Sequence, residues 1–150
     1  MREISIEQAI SQATADVLEK MFFTGFAAES DAIEDQGPRI AVRLNFDGER
    51  RGLLALAIST ECARIMAADF LGTEGEESPG ESQINEVIRE LANMICGDAL
   101  SALEKSALRL SAPEIVPPDF PLPEGARQRS FDLGDGCLTV GLVFQGGARG

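Results

Sequence analysis

The sequence ESQINEVIRELANMICGDALSALEKSA, residues 81–107, predicts a long amphipathic helix. At about 3.6 residues per turn, its aliphatic residues collect on one side. This predicted apolar face comprises Ile84, Val87, Ile88, Leu91, Ile95, Ala99, Ala102 and Leu103. The other side carries a polar stripe, which we define as Glu86, Glu90, Asn93 and Gly97. We expect the apolar face to anchor the helix in a core and the polar stripe to be the working surface.

The chain has 150 residues, enough for one domain with its own core, so we expect a single domain over residues 1–150 with a flexible tail over residues 144–150. No apolar run reaches the roughly 18 residues that a membrane span needs. The N-terminus MREISIEQ has no apolar signal-peptide core. We therefore expect a cytoplasmic protein without membrane insertion.

The formal net charge of −12 argues against nucleic acid as a partner, because phosphate binding depends on clustered Lys and Arg. The acidic residues form either an ordinary solvated surface or a face for a partner that is basic where it docks. The absence of His excludes a Ser-His-Asp triad and most zinc sites. Cys62, Cys96 and Cys137 form no CxxC pair and are expected to be small packing residues. No metal site is predicted in this chain.

Three helices are predicted by apolar periodicity and by residues that begin or end them. Residues 5–23 begin with a capping box of Ser5 and Gln8. A second helix starts with Ser59 or Thr60 as its cap and ends at Gly72. Its expected packing face comprises Ala63, Met66, Ala67, Phe70 and Leu71. The long helix is expected to start in a capping box of Ser78 and Glu81, with Pro79 at its first position.

Two hairpins are predicted by alternating apolar residues around Asp-Gly turns. Their strands comprise residues 39–46, 52–59, 128–133 and 137–144. The nearly continuous apolar run GLLALAIS indicates a central strand, and residues 28–37 are expected to be a loop. The predicted fold class is α+β: a mainly antiparallel sheet with long helices packed on it.

Glu90 and Asn93 are neighbours on the helix surface because they lie three residues apart. A carboxylate can pair with a cation, and a carboxamide can orient a water because it donates and accepts at once. Such a pair suits a substrate that brings its own electrophile and metal, as in phosphoryl hydrolysis. Glu and Asn are also common on exposed helix faces with no role beyond solvation. Gly97 leaves room for another backbone to approach.

The run NEVIRELANMICGDAL resembles the chemotaxis phosphatase family of CheX, CheC and FliY. That family's helix carries an acidic or small residue, then Glu four positions on, Asn three further, and Gly four further. These positions are occupied here by Glu86, Glu90, Asn93 and Gly97. The phrase ELANMICG is most similar to the CheX branch.

The resemblance implies dephosphorylation of a receiver domain of the CheY type. Glu90 would pair with the receiver's active-site Lys, and Asn93 would place a water next to the phosphoaspartate. Glu86 would flank the site and Gly97 would be structural. No cofactor would be bound by this chain, because the Mg²⁺ belongs to the receiver. Two rivals are a non-catalytic module that uses the same helix to bind receivers or the flagellar switch, and a structural dimer with a solvated stripe.

Two departures from the family pattern bear on these roles. The family often has Asp or Ser where this chain has Glu86, which leaves a direct role for Glu86 open. CheC-like members carry a second Glu/Asn pair on the first helix, whereas the Asn residues here are Asn45, Asn85 and Asn93. One site per chain fits the CheX branch, whose members can form homodimers through their sheets. Asp98 falls within the apolar arc and marks a bend at Gly97, a buried hydrogen-bonded carboxylate or a dimer contact.

Overall fold

A computed structural model describes residues 4–22, 25–26, 28–30, 37–48, 50–72, 79–103, 109–120 and 123–145. The helices are α1 (Ile6–Phe22), α2 (Thr60–Leu71) and α3 (Glu81–Leu103). The strands are β1 (Ala28–Ser30), β2 (Arg39–Asp47), β3 (Arg51–Ser59), β4 (Arg109–Leu110), β5 (Glu114–Val116), β6 (Arg127–Asp132) and β7 (Cys137–Gln145). They form one antiparallel sheet in the order β1-β6-β7-β3-β2-β4, with β5 also paired to β2. The α+β prediction is confirmed.

The two predicted hairpins form the centre of the sheet. β3 lies between β2 and β7, with Leu54 opposite Leu44 on one side and opposite Leu142 on the other. The expectation that GLLALAIS is the central strand is therefore confirmed. The loop predicted over residues 28–37 is wrong in part, because Ala28–Ser30 pairs with β6 and residues 31–36 lie outside the described residues. β7 extends to Gln145, so residues 144 and 145 of the expected tail are strand, and residues 146–150 lie outside the described residues.

The helix starts differ in how well the sequence predicts them. Ser5 and Gln8 exchange two hydrogen bonds of 3.0 Å, each from a backbone N–H to the other's side chain, which confirms the first capping box. Pro79 is not the first helical residue as predicted, because α3 begins at Glu81, and Ser78 lies outside the described residues. The Gly80 N–H donates to Gln83 Oε1 at 2.9 Å. Gly80 is thus the N-cap and Gln83 supplies the reaching side chain.

α3 is anchored by a wide apolar arc, because it contacts α1, α2 and the strands β2 and β3. Its buried residues are Ile84, Val87, Ile88, Leu91, Ala92, Ile95, Cys96, Ala99 and Leu100. Ala102 is exposed, so the predicted face is wrong at that residue, whereas Leu103 is half-buried and packs against the core. Contacts on several sides bury Ala92, Cys96 and Leu100 beyond the predicted face. All three cysteines are buried, and burial raises the pKa of Cys96 to about 12.

α2 differs from its prediction at both ends. Its predicted packing face is wrong at Phe70 and Leu71, which are each 40% exposed, whereas Cys62, which the prediction omitted, is buried. The Ser59 hydroxyl makes no capping hydrogen bond. It accepts instead from the Cys137 N–H at 2.9 Å and so ties the start of α2 to β7. Gly72 ends the helix as predicted, with a left-handed φ of 71°.

Asp98 is a half-buried residue that interacts with α1, and α3 continues through it to Leu103. Burial, the hydrogen bond to Asp16 and the negative charge of Asp16 raise the pKa of the Asp98 carboxyl. The Lys20 ammonium lies 3.0 Å from Asp16 Oδ1 and lowers the pKa of Asp16. Asp98 is therefore a partly buried carboxyl at the contact between α1 and α3, and α3 does not end or break at Gly97. No helix in the described part of the chain is long and apolar enough to cross a membrane.

We predict that Asp98→Asn raises the melting temperature at about pH 7. An acid whose pKa is raised by folding binds its proton more tightly in the folded state, so its ionisation costs stability as the pH rises through that pKa. The advantage of the variant should shrink as the pH falls towards the ordinary Asp value of 3.8. Thermal unfolding across this pH range is the measurement, with Asp119→Asn, at an exposed turn residue, as the control. A constant difference between Asp98→Asn and wild type at every pH would contradict the assignment.

Candidate functional site

The polar stripe lies on the side of α3 that turns away from the core. Glu86 and Glu90 are exposed, and Asn93 and Gly97 are half-buried. Leu91, one residue from Glu90, has no exposed surface. The helix is thus held by its apolar arc, and the backbone beneath the stripe is fixed by that packing.

Three of the four stripe residues line one groove, which we call the polar groove. It has a volume of about 450 Å³ and lies between α3 and the segment of residues 110–113. Its lining comprises Glu86, Arg89, Glu90, Asn93, Leu110, Ser111, Ala112 and Pro113. The structure therefore brings Glu86, Glu90 and Asn93 together, whereas Gly97 lies outside this lining.

Arg89 is a groove residue that the stripe prediction omitted. Its guanidinium pairs with Glu86 one turn earlier on α3, with 38% of the Arg89 side chain and 72% of the Glu86 side chain exposed. An exposed pair at this spacing contributes little to stability, on the order of 0.5 kcal/mol. The spacing of an acid and a base three residues apart was a signal in the sequence. The pairing affects the local charge of the groove, because the Arg89 guanidinium partly neutralises the Glu86 carboxylate.

The far wall of the groove is fixed to the sheet by Ser111. The Asn45 N–H donates to Ser111 Oγ at 2.9 Å, and the Ser111 N–H donates to the Asn45 carbonyl at 2.8 Å. The Ser111 hydroxyl therefore has a structural hydrogen bond to β2. No apolar pattern in the sequence indicates this wall, because it depends on the long-range pairing of the two-residue strand β4 with β2.

Glu90 and Asn93 are the two stripe residues open to an incoming molecule. Within the described part of the chain, neither side chain is held by a hydrogen bond or an ion pair to another side chain. Glu90 can accept from a cation, and Asn93 can donate and accept around a water. Among the described residues, no group of three or more His, Cys, Asp or Glu could hold a metal ion.

Gly97 presents open space above α3. A Cβ built there meets no atom of the described residues within 4 Å, apart from the nearby backbone of α3 itself. Packing inside this chain therefore does not require a glycine at this position. A glycine in a helix interior costs about 1 kcal/mol relative to Ala, and nothing in the described fold offsets that cost.

The family profile described as "Chemotaxis phosphatase CheX" matches residues 40–119, more than half of the chain. The chain belongs to the CheX family. The matched range includes α3 with the whole polar stripe, and the segment that forms the far wall of the polar groove. No curated protein sequence matches the chain.

Solved CheX structures share this fold at low sequence identity. CheX from Vibrio vulnificus has a TM-score of 0.76 at 16% identity, covering 97% of this chain and 99% of its own. CheX from Desulfovibrio desulfuricans has a TM-score of 0.74 at 18% identity, covering 95% and 100%. A Borrelia burgdorferi structure holds CheX with CheY, BeF₃ and Mg²⁺, with a TM-score of 0.68 at 16% identity, covering 91% and 96%.

We predict that Gly97→Ala increases the free energy of unfolding by up to about 1 kcal/mol, because Ala is the better helix former and its methyl group meets open space. Chemical denaturation of wild type and variant measures this difference. Ala99→Gly, at a buried position of the same helix, should change stability in the opposite direction. A destabilised Gly97→Ala variant would mean that the fold itself requires the glycine.

Proposed function

We propose that this chain is a cytoplasmic phosphatase that hydrolyses the phosphoaspartate of a CheY-like response-regulator receiver in chemotaxis or two-component signalling. The observation that carries the proposal is the placement of Glu90 and Asn93 side by side in an open groove of a CheX-family fold. The Borrelia complex of a related CheX with CheY supports a receiver as the partner.

Glu90 is the docking group in this proposal. Its exposed carboxylate pairs with the active-site Lys of the receiver, so that one contact both binds and orients the substrate. Among the described residues no cation of this chain pairs with Glu90, so docking breaks no internal ion pair. Glu86 flanks this contact and carries less free charge, because Arg89 pairs with it.

Asn93 is the positioning group for the water. Its carboxamide accepts a hydrogen bond from the water and donates to the phosphoryl oxygens, which holds the attacking oxygen in line with phosphorus. The water oxygen forms a bond to phosphorus, and the bond between phosphorus and the Asp oxygen breaks. The bonding pair stays on the released carboxylate, and the products are inorganic phosphate, the receiver's aspartate and a proton. The Mg²⁺ that neutralises developing charge is held by the receiver, and this chain binds no cofactor.

These roles for Glu90 and Asn93 fit the chemistry available in the polar groove. No His is present in the chain, so no imidazole base acts at the site. An acyl phosphate has a good leaving group, so orientation of a water and electrostatic stabilisation by the receiver's own groups suffice. The polar groove needs to supply only shape, one carboxylate and one carboxamide.

We predict that Asn93→Ala lowers the rate of receiver dephosphorylation at saturating receiver on the order of a hundredfold, because the water loses its orientation. Glu90→Gln should mainly raise KM, because the charge that pairs with Lys is lost. The lifetime of each phosphorylated receiver from the same genome, with and without the protein, is the measurement. Matched controls on α3 are Asn85→Ala and Glu81→Gln, which line neither wall of the polar groove.

The proposal fails if wild type shortens no receiver lifetime, or if Asn93→Ala shortens it as well as wild type does. Binding of phosphorylated receiver without any change in lifetime would instead identify a receiver-binding or flagellar-switch module. Both variants should retain the melting temperature of wild type to within the effect of an ordinary surface substitution.

We also propose that the chain forms a homodimer through the sheet face opposite the helices. Small residues, Ala41, Ala55 and Gly141, lie at the centre of that face. Ala55 is only half-buried there, so a partner surface can approach it, whereas Ala41 and Gly141 are already buried within one chain. We predict that sedimentation equilibrium gives twice the monomer mass, and that Ala55→Arg restores the monomer. A monomeric wild type at micromolar concentrations would contradict this arrangement.

A further inference from the structure

Large apolar side chains are exposed at the point where the ends of α1 and α2 meet the start of α3. Met21 is 41% exposed, and Phe70 and Leu71 are each 40% exposed. Only one other large hydrophobic residue of the described chain is this exposed, Ile115 on β5 at 36%. Three of four such residues therefore gather at one place, which is unusual for scattered surface hydrophobics.

These side chains line a second groove, which we call the apolar groove. Its volume is about 360 Å³, and α3 contributes Val87 and Met94 to its lining. Gln83, Glu86 and Glu90 complete it. It is thus built by three helices, and its apolar part is contiguous with two of the stripe carboxylates.

Glu86 and Glu90 line both grooves. They form a ridge, with Asn93 and the 110–113 segment on one side and Phe70 and Leu71 on the other. A molecule that pairs with Glu90 therefore lies at the edge of the apolar groove and can cover it. Covering it removes apolar surface from water and adds binding energy away from the reacting atoms.

We propose that the apolar groove is the second half of the receiver-docking surface and takes an apolar side chain that the receiver carries beside a Lys or Arg. This inference rests on the function proposed above and deepens it. The adjacent cation is required by charge complementarity, because the groove has carboxylates on its rim and the chain has a net charge of −12. Met21 and Met94 give the groove an adaptable lining, since unbranched thioether side chains adjust to the shape of a partner.

A docking role for the apolar groove also explains why Phe70 and Leu71 remain partly exposed. Their helical spacing from Met66 and Ala67 predicts burial, and Met66 and Ala67 are indeed buried. The last turn of α2 instead holds its apolar side chains towards α3 and solvent. An apolar anchor beside a polar contact is the usual composition of a protein interface, in which a few large side chains carry most of the affinity.

The test is the double variant Phe70→Gln with Leu71→Gln, which keeps helix propensity and removes the apolar lining. We expect KM for the phosphorylated receiver to rise on the order of tenfold, and to rise more than the rate at saturating receiver falls. Phe70→Leu with Leu71→Met keeps the groove apolar and should restore most of the affinity. Ile115→Gln is the surface control, because it removes a comparably exposed apolar side chain that lines neither groove.

An unchanged KM in the Gln double variant overturns the docking role. So does a change of oligomeric state without a change of KM, since a second copy of this chain would then occupy the groove. If wild type binds phosphorylated receivers without accelerating their hydrolysis, only the phosphatase proposal fails. The dissociation constants of the same variants then show whether the apolar groove binds the receiver. If wild type binds no receiver, both proposals fall. Melting temperatures of the variants show that the fold is retained.

Discussion

The packing of α3 is the constraint on which the rest of the structure depends. Its apolar arc is held from several sides by α1, α2 and the sheet, with Ile88, Leu91 and Ile95 fully buried. Truncating one such residue to Ala costs about 2–5 kcal/mol, so the helix cannot rotate without losing a large part of the stability of the domain. The position of Glu90 and Asn93 at the surface follows from this packing. A site on a rigid element needs no ordering when the partner arrives.

In the proposed reaction, the chemistry of the site is divided between two molecules. This chain offers a carboxylate, a carboxamide and an open backbone position at Gly97, and it has no His to serve as a base near neutral pH. The electrophile, the metal and the cation therefore come from the receiver in the proposed reaction. Electrostatics favours this encounter, because a net charge of −12 attracts a surface that is basic where it docks. In the proposed reaction, docking at Glu90 and positioning of the water at Asn93 then depend on neighbouring residues of one helix.

Local sequence signals predicted the elements well because the main ones are periodic and long. The capping box of Ser5 and the α3 heptad-like pattern carry their information within a few residues, and family resemblance pointed to the polar stripe. What the sequence did not provide depends on long-range contacts. The wall around Ser111 is set by its pairing with Asn45, and β1 is a strand only because β6 lies beside it. Phe70 follows the helical pattern of a core residue, yet it is 40% exposed in the last turn of α2.

The most direct measurement of the central claim is where Asn93 lies in the complex with the receiver. An Asn93→Cys variant can carry a short photoactivatable crosslinker at that site, because the three native cysteines are all buried. After irradiation with a phosphorylated receiver, mass spectrometry identifies the crosslinked peptide. The account predicts crosslinks to the loops around the phosphoacceptor Asp. Crosslinks confined to a receiver surface remote from that Asp would contradict it.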